Sequence, residues 1–522
     1  MALGKRKVLV AVGVVALFAV IGAVVGLVLW KSGGGSSDKA STLSSDNSSK
    51  TQGNTKKTTK PSGNGSSGSL EDAVLDGSLA GDSKNKSSVT SDPTKEKFTL
   101  AAYAIGDWGT TVGRDSCCKR RGDHTPTNID KNAEDVVAAV MGKAASQADL
   151  KPKVIMGHGD NFYWVGIIDK TDQAYRFDKT FESKFSSDSL ADIPWVNVMG
   201  NHDYGGASYI CASGGQYVAC KDKDALVQGL KDKFSLQAEY KSPNSDRWIM
   251  KDHFYVHSIE DEASGVSIDI FNLDTNDADV HGAQQICCQC YGYSQGSDKC
   301  NQITRGDQFC AGGDNDMFDA CMDQLNSWGE DSRKQLKEKV AASKATWKIV
   351  NAHYSPYNHY AEGRQSMWWD LLKDLGVQLW INGHTHGEKH DYSNIGMHFI
   401  ENGAGGGILN EAASGIPPYA EKYVEKIWTY PTHDYGFFEL SASKEWLRVR
   451  FLTNDDKWNV QDDFTQSTQG GVASKHCWYI PVDGSKGQSC DDEATTKSTA
   501  HHLKMRVHIE EHHHHHHKHH GH

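Results

Sequence analysis

Five times along the chain, a short apolar run ends in a small residue and then in Asp, Asn or His. Leu100 to Ile105 leads into Gly106-Asp107-Trp108-Gly109, and Val154 to Met156 leads into Gly159-Asp160-Asn161-Phe162-Tyr163. Trp195 to Met199 leads into Gly200-Asn201-His202-Asp203, Trp347 to Val350 into Asn351-Ala352-His353, and Val377 to Ile381 into Gly383-His384-Thr385-His386. Runs this short, separated by helical stretches such as Asn132 to Met141 and Ser332 to Ala342, predict strands of α/β units covered on both faces. Sheets of that kind bind ligands beyond the carboxyl ends of their strands, which is where these polar residues fall. The glycines allow a sharp turn off each strand and leave room for a metal near the backbone. Residues far apart in sequence are therefore expected to meet at one edge.

Asp107, Asp160 and Asn201 offer oxygen, Tyr163 a phenol, and His353, His384 and His386 imidazoles. One metal rarely takes seven protein ligands. Two metals sharing a carboxylate would use them all and keep positions open for water, an arrangement suited to in-line displacement at phosphorus. Any one of these histidines alone is as readily explained as a hydrogen-bonded core imidazole. The ordered set of five units is what carries the metal reading.

In these motifs the chain resembles the calcineurin-like metallophosphoesterase superfamily and, within it, the purple acid phosphatases of the tartrate-resistant type. The likeness extends to Phe181-Glu182, Phe185 to Leu190, Pro194-Trp195, Val266 to Thr275, Asn402-Gly403-Ala404-Gly405 and the closing runs Tyr435 to Leu440 and Trp446 to Leu452. It covers residues 98–466. It implies an α/β fold, a four-layer α/β/β/α sandwich of two mixed sheets. It also implies a dinuclear centre with Fe(III) on Asp107, Tyr163, His386 and the shared Asp160, and a divalent Fe, Zn or Mn ion on Asp160, Asn201, His353 and His384. A hard trivalent cation suits carboxylate and phenolate, and the softer site has more nitrogen.

The activity implied is acid phosphatase chemistry, in which a metal-bound hydroxide attacks small phosphate monoesters or phosphoproteins. His202 is implied as the group that hydrogen-bonds the phosphoryl oxygens or protonates the leaving group. The chain departs from the family in having Ala352 before His353, and Glu362 where a further substrate histidine is expected; His359 is the candidate substitute. The alternatives are a phosphodiesterase of the same superfamily and a non-catalytic surface protein for metal binding or adhesion.

Outside the motifs, Val8 to Trp30 is free of charge and proline and long enough to span a bilayer, with Lys5, Arg6 and Lys7 before it and Lys31 after it. Residues 1–31 are thus expected to be a cytoplasmic tip and signal anchor of a type II membrane protein, the membrane being reached through this helix. A cleaved signal peptide, and hence a secreted protein, is the alternative. Residues 32–97, rich in Ser, Gly and Lys, are expected to form an exported stalk carrying the sequons Asn47, Asn64 and Asn85.

The twelve cysteines fit an oxidising compartment. Cys211 with Cys220 and Cys477 with Cys490 are plausible local pairs. The insertion at about 281–325, with Cys287, Cys288, Cys290, Cys300, Cys310 and Cys321, is expected to be a disulfide-tied loop rather than a zinc cluster. Residues 467–522 are expected to be an extension ending in a His-rich tail, either a purification tag or a native metal-binding or pH-sensitive segment. The net charge of −12 gives no broad attraction for phosphate backbones, so nucleic acid is not an expected partner.

Overall fold

The computed structural model describes residues 89–110, 125–295, 300 and 302–490. The strands in chain order begin with β1 (Leu100–Ile105), β2 (Pro152–Gly157), β3 (Trp195–Asn197), β4 (Cys211–Ser213), β5 (Gln216–Val218), β6 (Trp248–Ile249), β7 (Phe254–Asp261) and β8 (Val266–Leu273). They continue with β9 (Trp347–Asn351), β10 (Leu379–Asn382), β11 (Glu388–Ser393), β12 (His398–Asn402), β13 (Val424–Thr429), β14 (Gly436–Ala442), β15 (Trp446–Asn454), β16 (Val472–Pro481) and β17 (Gln488–Ser489). One mixed sheet has the order β17-β16-β15-β14-β1-β2-β3-β6, a second has β13-β11-β12-β10-β9-β8-β7, and β4 and β5 form a separate hairpin.

The two large sheets face each other, and the alternation of side chains along each strand explains why. Leu100, Ala102 and Ala104 of β1 join Val154, Met156 and Val196 of their own sheet against Ile268, Ile270, Ile349, Leu379, Ile381 and Ile400 of the other. Tyr103 and Ile105 point the opposite way, into a cluster with Val136, Val137 and Met141 of helix α1 (Ala133–Gln147). That period of two makes each central strand apolar on both faces. The second sheet turns Phe271, Val350, Trp380 and Phe399 outward. There they meet Leu336 and Val340 of helix α2 (Asn315–Ala342) and Trp368, Trp369 and Leu372 of helix α3 (Glu362–Leu372). Helices therefore cover both outer faces. Shortening Ile349 or Ile381 to Ala inside such a core costs about 2–5 kcal/mol.

β1, β2 and β3 are parallel neighbours in the first sheet, as are β9 and β10 in the second. Within each sheet the expected strands thus run parallel to one another, although β1 is antiparallel to β14 on its other side, and their carboxyl ends bring the motif residues together. Behind those ends an aromatic pack braces the loops. The Trp108 ring lies 5.5 Å from both Phe185 and Trp195, and the Phe162 ring 4.7 Å from Phe177. The buried Arg247–Glu182 ion pair at 2.8 Å closes the same region.

Two limits read from the sequence change. The fold does not stop at 466: β16 pairs along β15 from Asn454 to Trp446, and β17 adds to β16, with Cys477–Cys490 tying the end. Residues 472–490 therefore belong to the first sheet and not to a separate extension. The Cys-rich insertion contains helical structure, and its three disulfides are Cys287–Cys321, Cys288–Cys310 and Cys290–Cys300. These pairings leave no thiolates for a zinc cluster there, and Cys211–Cys220 is formed as expected.

Among the described residues no helix is long and apolar enough to cross a membrane. The expected anchor, the sequons, residues 32–88 of the expected stalk and the His-rich tail, together with Cys117 and Cys118, lie outside the described residues, whereas residues 89–97, expected to be stalk, belong to the fold: Ser91 N–H donates to Glu445 Oε2 at 3.0 Å.

Candidate metal centre

The loops that leave the five strands hold their polar residues in conformations that side chains rarely adopt. Asp107, Asp160 and His384 have φ of 54°, 52° and 71°. Left-handed backbone at non-glycine residues costs of order 1–3 kcal/mol and persists where surrounding structure enforces it, commonly at functional sites. The adjacent glycines have a steric reason. A Cβ on Gly200 would lie 2.2 Å from Oδ1 of Asp160, and one on Gly383 would lie 2.2 Å from Oδ2 of Asp107. The motif glycines thus vacate the space that the carboxylates fill.

The seven candidate ligands meet in two groups. In the first, Tyr163 Oη is 3.0 Å from Asp107 Oδ1 and 3.3 Å from His386 Nε2, which is itself 3.6 Å from Asp107 Oδ1. In the second, Asn201 Oδ1 is 3.0 Å from His353 Nε2 and 3.1 Å from His384 Nδ1. Asp160 stands between them. Its Oδ1 is 3.5 Å from His353 Nε2, and ligand atoms of Asp107, Asp160 and His386 lie within 4.8 Å of one another.

The electrostatics of these groups call for cations. Burial, then the neighbouring charge of Asp160, pushes the Asp107 carboxyl well above the usual range. Burial likewise holds His353 and His384 below the ordinary histidine value, which favours the neutral ring at both. His353 Nδ1–H donates to the carbonyl of His158 at 2.7 Å, which leaves Nε2 as a lone pair facing the lone pairs of Asn201 Oδ1. Two acceptors at 3.0 Å repel unless a cation draws both. Asp160 Oδ2 is buried and has no hydrogen-bond partner. These donors would suit two cations, one at each group, with Asp160 placed between them.

Residues without an assigned role in the sequence reading hold the ligands in place. Asp203 accepts from the backbone of Gly200, Asn161 and Phe162 and from Gln237, so it clamps the Asp160 loop to the Asn201 loop. Burial, with Asp160 nearby, pushes its carboxyl up to about 7. Glu411 Oε2 accepts from His386 Nδ1 at 2.7 Å and thereby fixes which nitrogen faces Tyr163. Asp203 follows His202 in a motif and was visible there, whereas no local pattern marks Glu411. The insertion also braces this edge: Tyr291 N–H donates to Ala207 at 2.7 Å, and buried Gln289 accepts from Ile210 N–H at 3.0 Å.

His202 lies beside the cluster, its ring 4.6 Å from Tyr163. Its Nδ1–H donates to the Trp164 carbonyl at 2.6 Å, so the Nε2 side is the one left to act. His359 is placed differently. It is 5% exposed, its Nδ1 accepts from Ser355 N–H at 3.0 Å, and its Nε2 lies 3.3 Å from Thr385 Oγ1. Both nitrogens are engaged within the protein, and the ring packs 4.8 Å from that of His384.

The model of the calcineurin-like phosphoesterase family matches residues 102–388, and the chain belongs to that family. Among characterised relatives, tartrate-resistant acid phosphatase type 5 of Rattus norvegicus is 25% identical over 319 residues, 60% of this chain and 74% of the relative. Purple acid phosphatase 17 of Arabidopsis thaliana is 24% identical over 320 residues, 60% of this chain and 70% of the relative. Among solved structures, GAP50, described as the anchor in the inner membrane complex of Plasmodium, aligns at 16% identity with a TM-score of 0.42, covering 72% of this chain and 90% of that one. The chain is a purple acid phosphatase-like metallophosphoesterase.

Proposed function

We propose that the protein is an acid phosphatase that hydrolyses phosphate monoesters at a dinuclear centre, with Fe(III) held by Asp107, Tyr163, His386 and Asp160 and a divalent ion held by Asp160, Asn201, His353 and His384. The observation that carries this reading is the meeting of seven donors from five strand ends in two groups with Asp160 between them. Bound cations at this site would offset phosphate charge and activate a water.

The chain's own residues do the rest. Asp203 and Glu411 keep the ligand loops and the His386 tautomer in place, which limits reorganisation during turnover. His202 has committed Nδ1–H to Trp164, so only its protonated ring can donate from Nε2 to a leaving-group oxygen. His359, with both nitrogens bonded inside the protein, is better suited to positioning His384 than to proton transfer. The disulfides support an extracellular or luminal catalytic domain, and anchoring through residues 8–30 accords with that.

The test is metal analysis of the protein expressed without its His-rich tail, combined with an aryl phosphate assay across pH. Two metals per chain and turnover that rises toward acid are expected. A protein that holds no metal and cleaves no phosphate ester would refute the reading.

A further inference from the structure

The loop that opens the Cys-rich insertion is held by its backbone, yet it presents one imidazole that has no hydrogen-bond partner among the described residues. The N–H groups of Asp279 and Val280 both donate to the His359 carbonyl at 3.0 Å, and Ala283 N–H donates to Ala278 at 3.1 Å. Asp279 Oδ2 accepts from Ala361 N–H at 2.8 Å, and buried Asp277 takes Arg333 and Arg364, each at 2.6 Å. Cys287–Cys321 then ties the following helix to α2.

At the tip of this loop His281 has φ of 56°, a left-handed conformation. Its carbonyl accepts from Tyr354 Oη at 2.7 Å. The Tyr354 ring is in turn packed 4.3 Å from His384 and 4.9 Å from His353. The same tyrosine thus touches two candidate ligands and fixes the backbone of His281.

The His281 ring is exposed and lies 6.0 Å from the His384 ring, centroid to centroid. Among the described residues neither of its nitrogens is hydrogen-bonded. His384, Thr385 and His386 are themselves partly exposed, so this is an accessible side of the centre. His202 stands at another part of the cluster, by Tyr163 and Trp164. A strained, braced backbone that ends in an unpartnered donor beside a metal-ligand histidine is a built position.

Building on the phosphate-ester reading, we propose that His281 is a substrate-contacting residue whose imidazole hydrogen-bonds an oxygen of the phosphate group from the His384 side. The insertion then supplies part of the substrate site, and its disulfides hold that part at a set distance from the ligands.

The test uses His281→Asn and His281→Gly, two residues that tolerate left-handed backbone and lack the reach of the ring. Metal content, the dissociation constant for inorganic phosphate by calorimetry, and kcat and KM for an aryl phosphate are measured on the full exported chain. Both variants should keep the wild-type metal content and bind inorganic phosphate roughly 10-fold or more weakly, the scale for loss of one hydrogen bond to a charged group. KM should rise with it. Unchanged phosphate affinity with metals retained would overturn the proposal, as would loss of metal in both variants, which would make His281 a ligand or a brace. A wild-type protein that binds neither two metals nor phosphate would instead remove the function on which the proposal rests.

Discussion

The backbone N–H of His384 donates to Oδ2 of Asp107 at 2.8 Å, joining the loop after β10 in one sheet to the loop after β1 in the other. The candidate metal centre lies across the seam between two sheets, and this bond is one of the stitches. Asp107→Asn keeps an acceptor for it and removes the charge. The variant should melt within a few degrees of wild type and lose the cation proposed at Tyr163 and His386, read by metal analysis. Two retained metals would place the charge requirement elsewhere.

Asp160→Ala takes away the carboxylate between the two donor groups. Both metals and nearly all phosphatase activity should go, because without the bridge the cations repel at short range. Retention of both ions with wild-type turnover would show that Asp160 is not shared.

His202→Ala should leave metal content unchanged and lower kcat by roughly 10²-fold or more, the scale for a positioned acid or oxyanion donor. Wild-type kcat across pH would confine His202 to bracing the Trp164 carbonyl.

Tyr163 carries the test of the ferric assignment. Burial and then Asp107 push its hydroxyl well above the ordinary phenol value, so only a bound cation of high charge makes it a phenolate. The oxidised protein should absorb in the visible, and Tyr163→Phe should bleach that band while hydrolysis partly survives. A colourless, fully active protein containing only divalent ions would remove iron from the reading.

A second set of histidines should govern stability in acid. His476 Nε2 lies 3.0 Å from His390 Nδ1, His390 Nε2 lies 2.8 Å from His398 Nδ1, and His398 Nε2–H donates to the Ser485 carbonyl at 3.2 Å, so a chain of imidazoles links β16 to β11 and β12. Burial pushes His398 down to about 4 and His476 down to about 3. The unfolded chain binds protons at each of them below about pH 6.5 while the folded one does not. Stability is therefore fully present above that pH and lost as pH falls toward 4, by about 1.4 kcal/mol per unit and per group. Urea midpoints should fall from pH 7 to pH 5, and His476→Phe should flatten that slope; equal slopes would assign the acid lability to other groups.

The strands, the glycines and the identity of the candidate ligands were legible in the sequence, because each Gly-Asp, Gly-Asn-His or Gly-His-x-His unit is a local arrangement. The steric need for glycine and the donor chemistry lie within a few residues of each other. The arrangement of the strands as two mixed sheets was expected from the family resemblance of those units. The packing of the whole fold sets which distant groups meet: Glu411 with His386, Asp203 with three backbone amides of two loops, Cys287 with Cys321, and His281 with the edge of His384. The placement of β16 and β17 within the first sheet and the burial of His359 belong with these. Such pairings depend on how two sheets and an inserted loop pack against each other, and the apolar burial that sets this packing leaves no local pattern at the polar residues it brings together.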